Sequence, residues 1–176
     1  MTKTDQLLNI LAKAERAGGG IHSAAELAAM MRVPCDRAFI KFLSDGVKNG
    51  HLRRVLKGLY ESTLTPPAPE TAIYKIIKKL RKGVISYISL ESQLSHTGDI
   101  SQLVMDRVTV VTKGRSGVFE TPYGIIELTH TKKPLAQIER NLYFDPQIQM
   151  YRANTEQAIT DLKHCQRNLH MLEPST

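Results

Sequence analysis

A proline-rich segment near the middle of the chain constrains the fold more than any other feature. Residues 63–72, TLTPPAPETA, contain three prolines. Each proline fixes its own φ and disfavours helical geometry in the residue before it, so such a segment is stiff and extended. In a chain of 176 residues it predicts two units, 1–62 and 73–176, with 63–72 as the linker between them.

The composition is typical of a folded protein in a reducing compartment. Hydrophobic residues make up 41% of the chain, which is enough for a core. Cys35 and Cys165 stand far apart without metal-ligand spacing, so we expect a cytoplasmic protein with no bound metal or other cofactor. The chain opens without a secretory signal pattern, and no apolar run approaches the ~18 residues of a membrane span. We therefore expect no membrane association.

The charge balance favours a polyanionic partner. The chain has 24 Lys and Arg against 17 Asp and Glu, a formal net charge of +7. A field of this sign attracts nucleic acid. Because aromatic residues reach only 6% and Trp is absent, a stacking surface for single strands is not expected. Double-stranded DNA fits these features better.

The first fifty residues carry three amphipathic helical patterns. TDQLLNILAKAERA predicts the first helix. Ser23 followed by Glu26 forms a capping box that predicts the start of the second helix, and Pro34 ends it. CDRAFIKFLSDGVKNG predicts the third. Its apolar stripe is expected to comprise Cys35, Ala38, Phe39, Phe42 and Leu43.

A short break between two helices, followed at once by a basic hairpin, is typical of a winged helix-turn-helix domain. The hairpin NGHLRRVLKGLYES turns at Lys57-Gly58. We expect the third helix to enter a major groove and the hairpin to lie along the phosphates. The predicted DNA-binding residues are Arg37, Lys41, Ser44, Lys48, Arg53, Arg54 and Lys57. Protein-docking modules use the same elements, so an interaction module without DNA contact stays an alternative.

Beyond the linker, PETAIYKIIKKLRKG predicts an amphipathic helix with a basic outer face. That face is either solvated or makes additional DNA or partner contacts. Its lysines are Lys75, Lys78, Lys79 and Lys82.

The second half of the chain combines helices with a small sheet. A short helix is expected from about Leu90, with Ser89 as its cap. Strands are expected at 106–113 and on either side of TPYG, and three successive strands predict a small antiparallel sheet. A last helix is expected over NTEQAITDLKHCQRNLHML, with a stripe of Ala158, Leu162, Cys165, Leu169 and Leu172. The predicted fold class is therefore α+β.

No catalytic constellation emerges from the sequence. His96 and Asp99 lie in the segment HTGD, which is more typical of a turn or helix cap. His164 and His170 are six residues apart on the last helix and do not share a face. Without a phosphate loop, a nucleophile motif or a carboxylate pair, we expect no enzymatic activity.

The order of short motifs in the second half resembles that of the AbiEi family of antitoxins, from type IV toxin–antitoxin systems. The motifs are a serine-rich helix, an RVTV strand, a hairpin around TPYG and the start of the last helix. The matching positions are Ser89, Glu91, Ser92, Leu94, His96 and Gly98; Arg107 to Val110; Phe119, Thr121, Pro122, Gly124 and Glu127; and Ala153, Glu156, Ala158 and Asp161.

This resemblance implies a bifunctional protein. An N-terminal winged domain would bind inverted repeats at its own promoter and repress the operon. A C-terminal antitoxin domain over 73–176 would counteract a nucleotidyltransferase toxin without forming a stable complex. An ordinary winged-helix regulator with a ligand-sensing or dimerising second half stays an alternative.

Overall fold

The protein divides into two compact units of mixed α+β architecture. The computed structural model describes residues 1–101, 106–167 and 172. The units are Met1–Leu80 and Arg81–Thr176. The expected α+β class is thus found, with a sheet and helices in each unit.

The first unit contains four helices and three short strands. In chain order they are α1 (Lys3–Arg16), β1 (His22–Ser23), α2 (Ala24–Met31), α3 (Arg37–Lys48), β2 (Leu52–Leu56), β3 (Leu59–Ser62) and α4 (Pro69–Leu80). The strands form an antiparallel sheet in the order β1-β3-β2. The three N-terminal helices and the β2–β3 hairpin follow the sequence prediction, whereas β1 was not predicted.

Capping side chains fix where the first helices begin. The Thr2 hydroxyl and the Asp5 carboxylate bond each other's backbone N–H groups at the start of α1. At the start of α2, Ser23 Oγ accepts from the backbone N–H of Glu26 at 3.2 Å, and the Glu26 carboxylate accepts from Ser23 N–H at 2.9 Å. The predicted capping box is therefore confirmed. Arg32 then ends α2 in the left-handed region, with φ 57°.

The core of the first unit lies between its helices and its sheet. Its buried members are Leu7, Leu11, Leu27, Ala28, Met31, Phe39, Leu43, Leu52 and Tyr60. The predicted apolar stripe of α3 is wrong at two positions. Cys35 precedes the helix and is exposed, and Ala38 is also exposed, because the buried face is centred on Phe39 and Leu43.

The proline-rich segment packs within the first unit. Pro67 is buried, and a Cβ on Gly20 would lie 2.8 Å from its Cβ. Gly20 also has φ +121°, so both its backbone and its neighbour require glycine. The boundary between the units accordingly falls after Leu80, and not at the expected linker 63–72.

The described residues of the second unit form six strands, three α-helices and one 3₁₀ turn, and the six strands belong to one sheet. In chain order its described elements are β4 (Ser86–Ile88), α5 (Leu90–Thr97), β5 (Arg107–Thr112), β6 (Gly117–Thr121), β7 (Gly124–His130), α6 (Leu135–Ile138), a 3₁₀ turn (Glu139–Asn141), β8 (Leu142–Asp145), β9 (Met150–Ala153) and α7 (Thr155–His164).

The sheet of the second unit is larger than predicted and mixed. Its described strands are ordered β6-β7-β5-β4-β9-β8. β5 pairs in parallel with β7, and β4 pairs in parallel with β9, while the other neighbours are antiparallel. The three predicted strands are confirmed as β5, β6 and β7, but the purely antiparallel sheet is wrong. β7 lies between the other two because Ile126 and Leu128 are buried, whereas β6 exposes Val118 at the sheet edge.

Helices α5 and α7 contribute to the core of this unit. Its buried members include Tyr87, Leu90, Leu94, Val111, Ala153, Ala158 and Leu162. α7 ends at His164, earlier than predicted, and Cys165 and Leu172 pack partly buried against the core. Leu169 and His170 lie outside the described residues. Within those residues, no helix has the length and apolar character needed to cross a membrane.

Candidate nucleic-acid interface

Four polar side chains lie along one exposed face of α3. Arg37, Lys41, Ser44 and Lys48 are all exposed. An α-helix turns about 100° per residue, so steps of four, three and four residues keep them within roughly 60° of arc. The buried side chains of α3 occupy the opposite face, and the polar face therefore points into solvent.

The Asp36 side chain fixes where this face begins. Its Oδ1 accepts a hydrogen bond from the backbone N–H of Phe39 at 2.9 Å, which caps α3. One turn along, Lys41 Nζ lies 3.2 Å from Asp45 Oδ2. Both side chains are exposed, and an ion pair of this kind contributes little and exchanges readily. Lys41 therefore remains available to an approaching anion.

Ile40 is an apolar member of the same exposed surface and is not among the predicted site residues. Its side chain is 41% exposed. It lies three residues after Arg37 and four before Ser44, positions that are neighbours on a helix surface. The signal was present in the sequence, since Ile40 falls outside the stripe that contains Phe39 and Leu43.

The β2–β3 hairpin presents Arg54 and Lys57 to solvent. Both side chains are exposed, and neither makes a hydrogen bond or ion pair with any residue that the structure describes. The turn depends on Gly58, whose φ of +78° lies in the left-handed region that favours glycine. After Arg54 the strand register shifts, so Val55 is an extra, buried residue in a β-bulge.

Arg53 differs from Arg54 because it is paired within the hairpin. Its Nε lies 2.6 Å and its Nη2 2.5 Å from Glu61 Oε1 on the facing strand. The Glu61 side chain is only 1% exposed, and a buried carboxylate is costly without a cationic partner. The first role of Arg53 is therefore to stabilise the hairpin, a role that differs from the predicted contact with DNA.

The hairpin is joined closely to α3. The backbone N–H of His51, just before β2, donates to the carbonyl oxygen of Gly46 in α3 at 2.9 Å. At the same open end of the hairpin, Thr63 Oγ1, just after β3, donates to the carbonyl oxygen of Gly50 at 2.5 Å. These bonds fix the start of the hairpin against the C-terminal end of the helix.

The basic face of α4 is partly used for contacts inside the first unit. Lys75 Nζ donates to the carbonyl oxygen of Gly19 at 2.7 Å, and Lys79 Nζ lies 2.7 Å from Glu26 Oε1. Lys78 is exposed, and its pKa is lowered by desolvation and by the charges of Lys75 and Lys79. Two of the four lysines proposed as extra contacts thus hold α4 in place.

A buried polar network lies in the second unit at positions that carry the family resemblance. Asp161 Oδ2 accepts from Ser89 Oγ at 2.7 Å and from the Tyr87 hydroxyl at 3.0 Å, and Asp161 Oδ1 accepts from Gln157 Nε2 at 2.8 Å. Burial and the charge of Asp161 raise the pKa of Tyr87 well above its ordinary value. The network joins β4 to α7 across the core.

A cluster of ion pairs links α5, β5 and β7 to the segment after α7. Arg167 pairs with Glu127 on β7 and with Glu91 on α5, the latter at 3.1 Å. Arg107 Nη1 also lies 2.5 Å from Glu127 Oε2. Burial alone would raise the pKa of Glu127, but the hydrogen bonds from Arg167 and Arg107 hold it below its ordinary value. These distant motif positions therefore meet in space.

The HTGD segment forms the end of α5. Thr97 Oγ1 bonds Asp99, and Thr155 Oγ1 at the start of α7 donates to Asp99 Oδ2 at 2.9 Å. Gly98 ends α5 with φ +81°. His96 is exposed, and burial of part of its ring together with Arg152 lowers its pKa. Across the described part of the chain, no three His, Cys, Asp or Glu side chains converge as metal ligands would.

Comparisons with known proteins bear on the fold, which belongs to the mixed α+β class. No protein-family model and no curated protein sequence matches the chain. Among solved structures, it is similar to the RV2827C protein from Mycobacterium tuberculosis, with a TM-score of 0.62 at 12% identity. The similarity covers 90% of this chain and 59% of that one, so this chain spans less than two thirds of its neighbour's length. A likeness at this identity concerns the fold alone.

Proposed function

We propose that the chain is a DNA-binding autorepressor whose first unit is a winged helix-turn-helix domain. The element order α1-β1-α2-α3-β2-β3, with an antiparallel sheet ordered β1-β3-β2, supports this assignment. α2 and α3 are the helix-turn-helix, with Arg32 and Pro34 in the turn. The β2–β3 hairpin is the wing.

The observation that carries the proposal is the polar face of α3 beside a hairpin that exposes two cations. In the proposed complex α3 lies in the major groove, where Arg37 or Lys41 hydrogen-bonds a base edge. Arg54 and Lys57 lie along the phosphates, which set affinity and register without reading sequence. The formal charge of +7 favours the same partner.

The second part of the proposal is that the second unit is the antitoxin domain of a type IV toxin–antitoxin system. Its support is that positions carrying the AbiEi resemblance contact one another, as in Ser89 with Asp161 and in Arg107 with Glu127. The proposed action is to counteract a nucleotidyltransferase toxin without a stable complex.

A mobility-shift assay on the DNA upstream of its own gene tests the repressor role. We expect a specific shift that survives excess random duplex. Arg37→Ala should lose discrimination at one base position, at a cost of about 1–3 kcal/mol, while its affinity for random DNA changes little. Equal losses on both DNAs would mean that Arg37 contacts only the backbone. No specific shift at all would refute the repressor role.

Growth assays with the full-length protein test the antitoxin role separately. The genes next to its own are searched for a nucleotidyltransferase, and the protein is co-expressed with that toxin. A variant with Arg37→Ala, Arg54→Ala and Lys57→Ala should lose DNA binding but still restore growth. Failure of the wild-type protein to restore growth would refute the antitoxin role and leave the repressor role standing. Loss of rescue in the variant, with folding intact, would contradict the division of labour between the units.

A further inference from the structure

A basic hollow lies at one end of the six-stranded sheet. It is an open depression of about 400 Å³ lined by Lys113, Gly114, Arg115, Ser116 and His130. The first four residues follow β5, and the fifth ends β7. Because β5 and β7 are parallel, their carboxyl ends meet at the same edge of the sheet. This is the edge at which open α/β sheets commonly bind ligands.

The loop that lines this hollow and the two segments that hydrogen-bond to that loop carry only positive charge. Residues 81–83 (RKG), 113–117 (KGRSG) and 130–133 (HTKK) contain six Lys or Arg and no Asp or Glu. Lys113 Nζ donates to the carbonyl oxygens of Thr131 at 3.1 Å and Lys133 at 2.8 Å, which draws two of the segments together. Fixed positive charge around a concave surface raises the local concentration of anions.

The loop that lines the hollow is held by hydrogen bonds to its backbone. Arg81 donates to the Arg115 carbonyl oxygen from Nε at 3.0 Å and from Nη2 at 2.6 Å. The His130 ring Nδ1 lies 2.8 Å from the Gly114 carbonyl oxygen, and the His130 backbone N–H donates to Ser116 Oγ at 2.8 Å. A loop fixed in this way loses little further entropy when it binds a ligand.

The side chain of Arg115 is left for an external partner. It is exposed, and its guanidinium makes no hydrogen bond or ion pair with any residue in the described part of the chain. A guanidinium presents donors in a planar fork that binds phosphate oxygens in pairs. Several cations around one hollow also match a multivalent anion better than a single carboxylate.

We propose that this hollow is a phosphate-binding site, with Arg115 as the residue that binds the phosphoryl group. The ligand is either a polyphosphorylated small molecule or the phosphodiester backbone of a nucleic acid. All the residues involved belong to the second unit, so the proposal does not depend on DNA binding by α3 and the hairpin.

The test measures binding of two probes to the full-length protein. Inorganic tripolyphosphate is titrated by calorimetry, and a random 16-base-pair duplex is titrated by fluorescence anisotropy. Arg115→Glu is compared with Arg140→Glu, which makes the same charge change at an exposed arginine outside the hollow. Arg115 contacts Arg81 only through its carbonyl oxygen, so the substitution leaves the loop contacts in place, which a thermal melt checks.

We expect Arg115→Glu to weaken binding about tenfold or more, because a charge-assisted bidentate contact becomes a repulsion, and Arg140→Glu to change it less than about twofold. A selective loss with tripolyphosphate identifies a small-molecule site, and one with the duplex alone identifies a backbone contact. The proposal is overturned if both variants respond equally, or if the wild-type protein binds neither probe. Arg54→Ala with Lys57→Ala should leave tripolyphosphate binding unchanged, which separates this site from the proposed DNA interface.

Discussion

The two exposed cations of the β2–β3 hairpin give a quantitative prediction for DNA binding. Arg54 and Lys57 have no partner among the described residues, so each can release one condensed counterion by contacting a phosphate. The slope of log K against log salt is about −0.9 per phosphate contact. Replacing both residues by Ala should therefore make the slope shallower by about 1.8.

This change has a measurable size over an ordinary salt range. Between 50 and 200 mM KCl, a slope difference of about 1.8 means that the double variant loses about tenfold less affinity than the wild-type protein. Fluorescence anisotropy with one labelled duplex at three salt concentrations measures both slopes. An unchanged slope would refute the assignment of these residues to the phosphates.

Arg53→Ala is the matched control in the same strand. Because Arg53 pairs with the buried carboxylate of Glu61, its removal should lower the free energy of unfolding by about 1–3 kcal/mol. The salt slope should change less than in the Arg54 and Lys57 variant. Adding Glu61→Gln to Arg53→Ala should recover part of the lost stability, since the buried charge is gone. A fully additive double variant in urea unfolding would contradict the pairing.

Three further predictions concern other parts of the chain. Ile40→Ala should weaken specific DNA binding about three- to tenfold, because a contact with a thymine methyl group is lost, and the exposed Val118→Ala is the control. Replacing thymine by uracil in the DNA should weaken binding by the wild-type protein but not by the variant. Additive losses of affinity would contradict the contact. Burial and, to a smaller extent, the charge of Lys79 lower the pKa of His22 below its ordinary value of 6.5. The neutral ring of His22 therefore contributes fully to the folding stability above about pH 6.5, and this contribution is lost as the pH falls through the lower pKa of the folded state. His22→Gln should flatten this part of the urea-measured stability profile and the exposed His164→Gln should not; an unchanged profile would contradict the assignment. Asp161→Asn should lower the free energy of unfolding by at least about 2 kcal/mol, because Ser89 and Tyr87 lose the carboxylate oxygen that accepts their hydrogen bonds. Glu156→Gln on the same helix should lower it little. Equal melting temperatures of the two variants would contradict the network.

The helices of the first unit were predictable because their signals are local. The Ser23–Glu26 capping box lies within one helical turn, and Pro34 breaks the pattern nearby. The basic side chains of α3 follow from helical spacing alone. The partner of Arg53 did not follow, because Glu61 reaches it only through the strand register and its burial depends on the folded core.

The sheet of the second unit was less predictable because its order depends on distant pairings. β4 has three residues, and β8 and β9 have four each, which is too short for a clear alternating pattern. The parallel pairing of β5 with β7 requires β7 to displace β6 to the edge. That exchange follows from which strand buries more apolar surface, a property of the assembled core and not of neighbouring residues.

The contact between Gly20 and Pro67 has a consequence for how such a protein can recombine with its relatives. An exchange of the N-terminal segment at Ser62 would separate the loop after α1 from the proline that covers it, and would also remove the lysines that bind Gly19 and Glu26. A chimera joined after Leu80 would keep all three contacts. Exchangeable modules in this architecture therefore extend through α4.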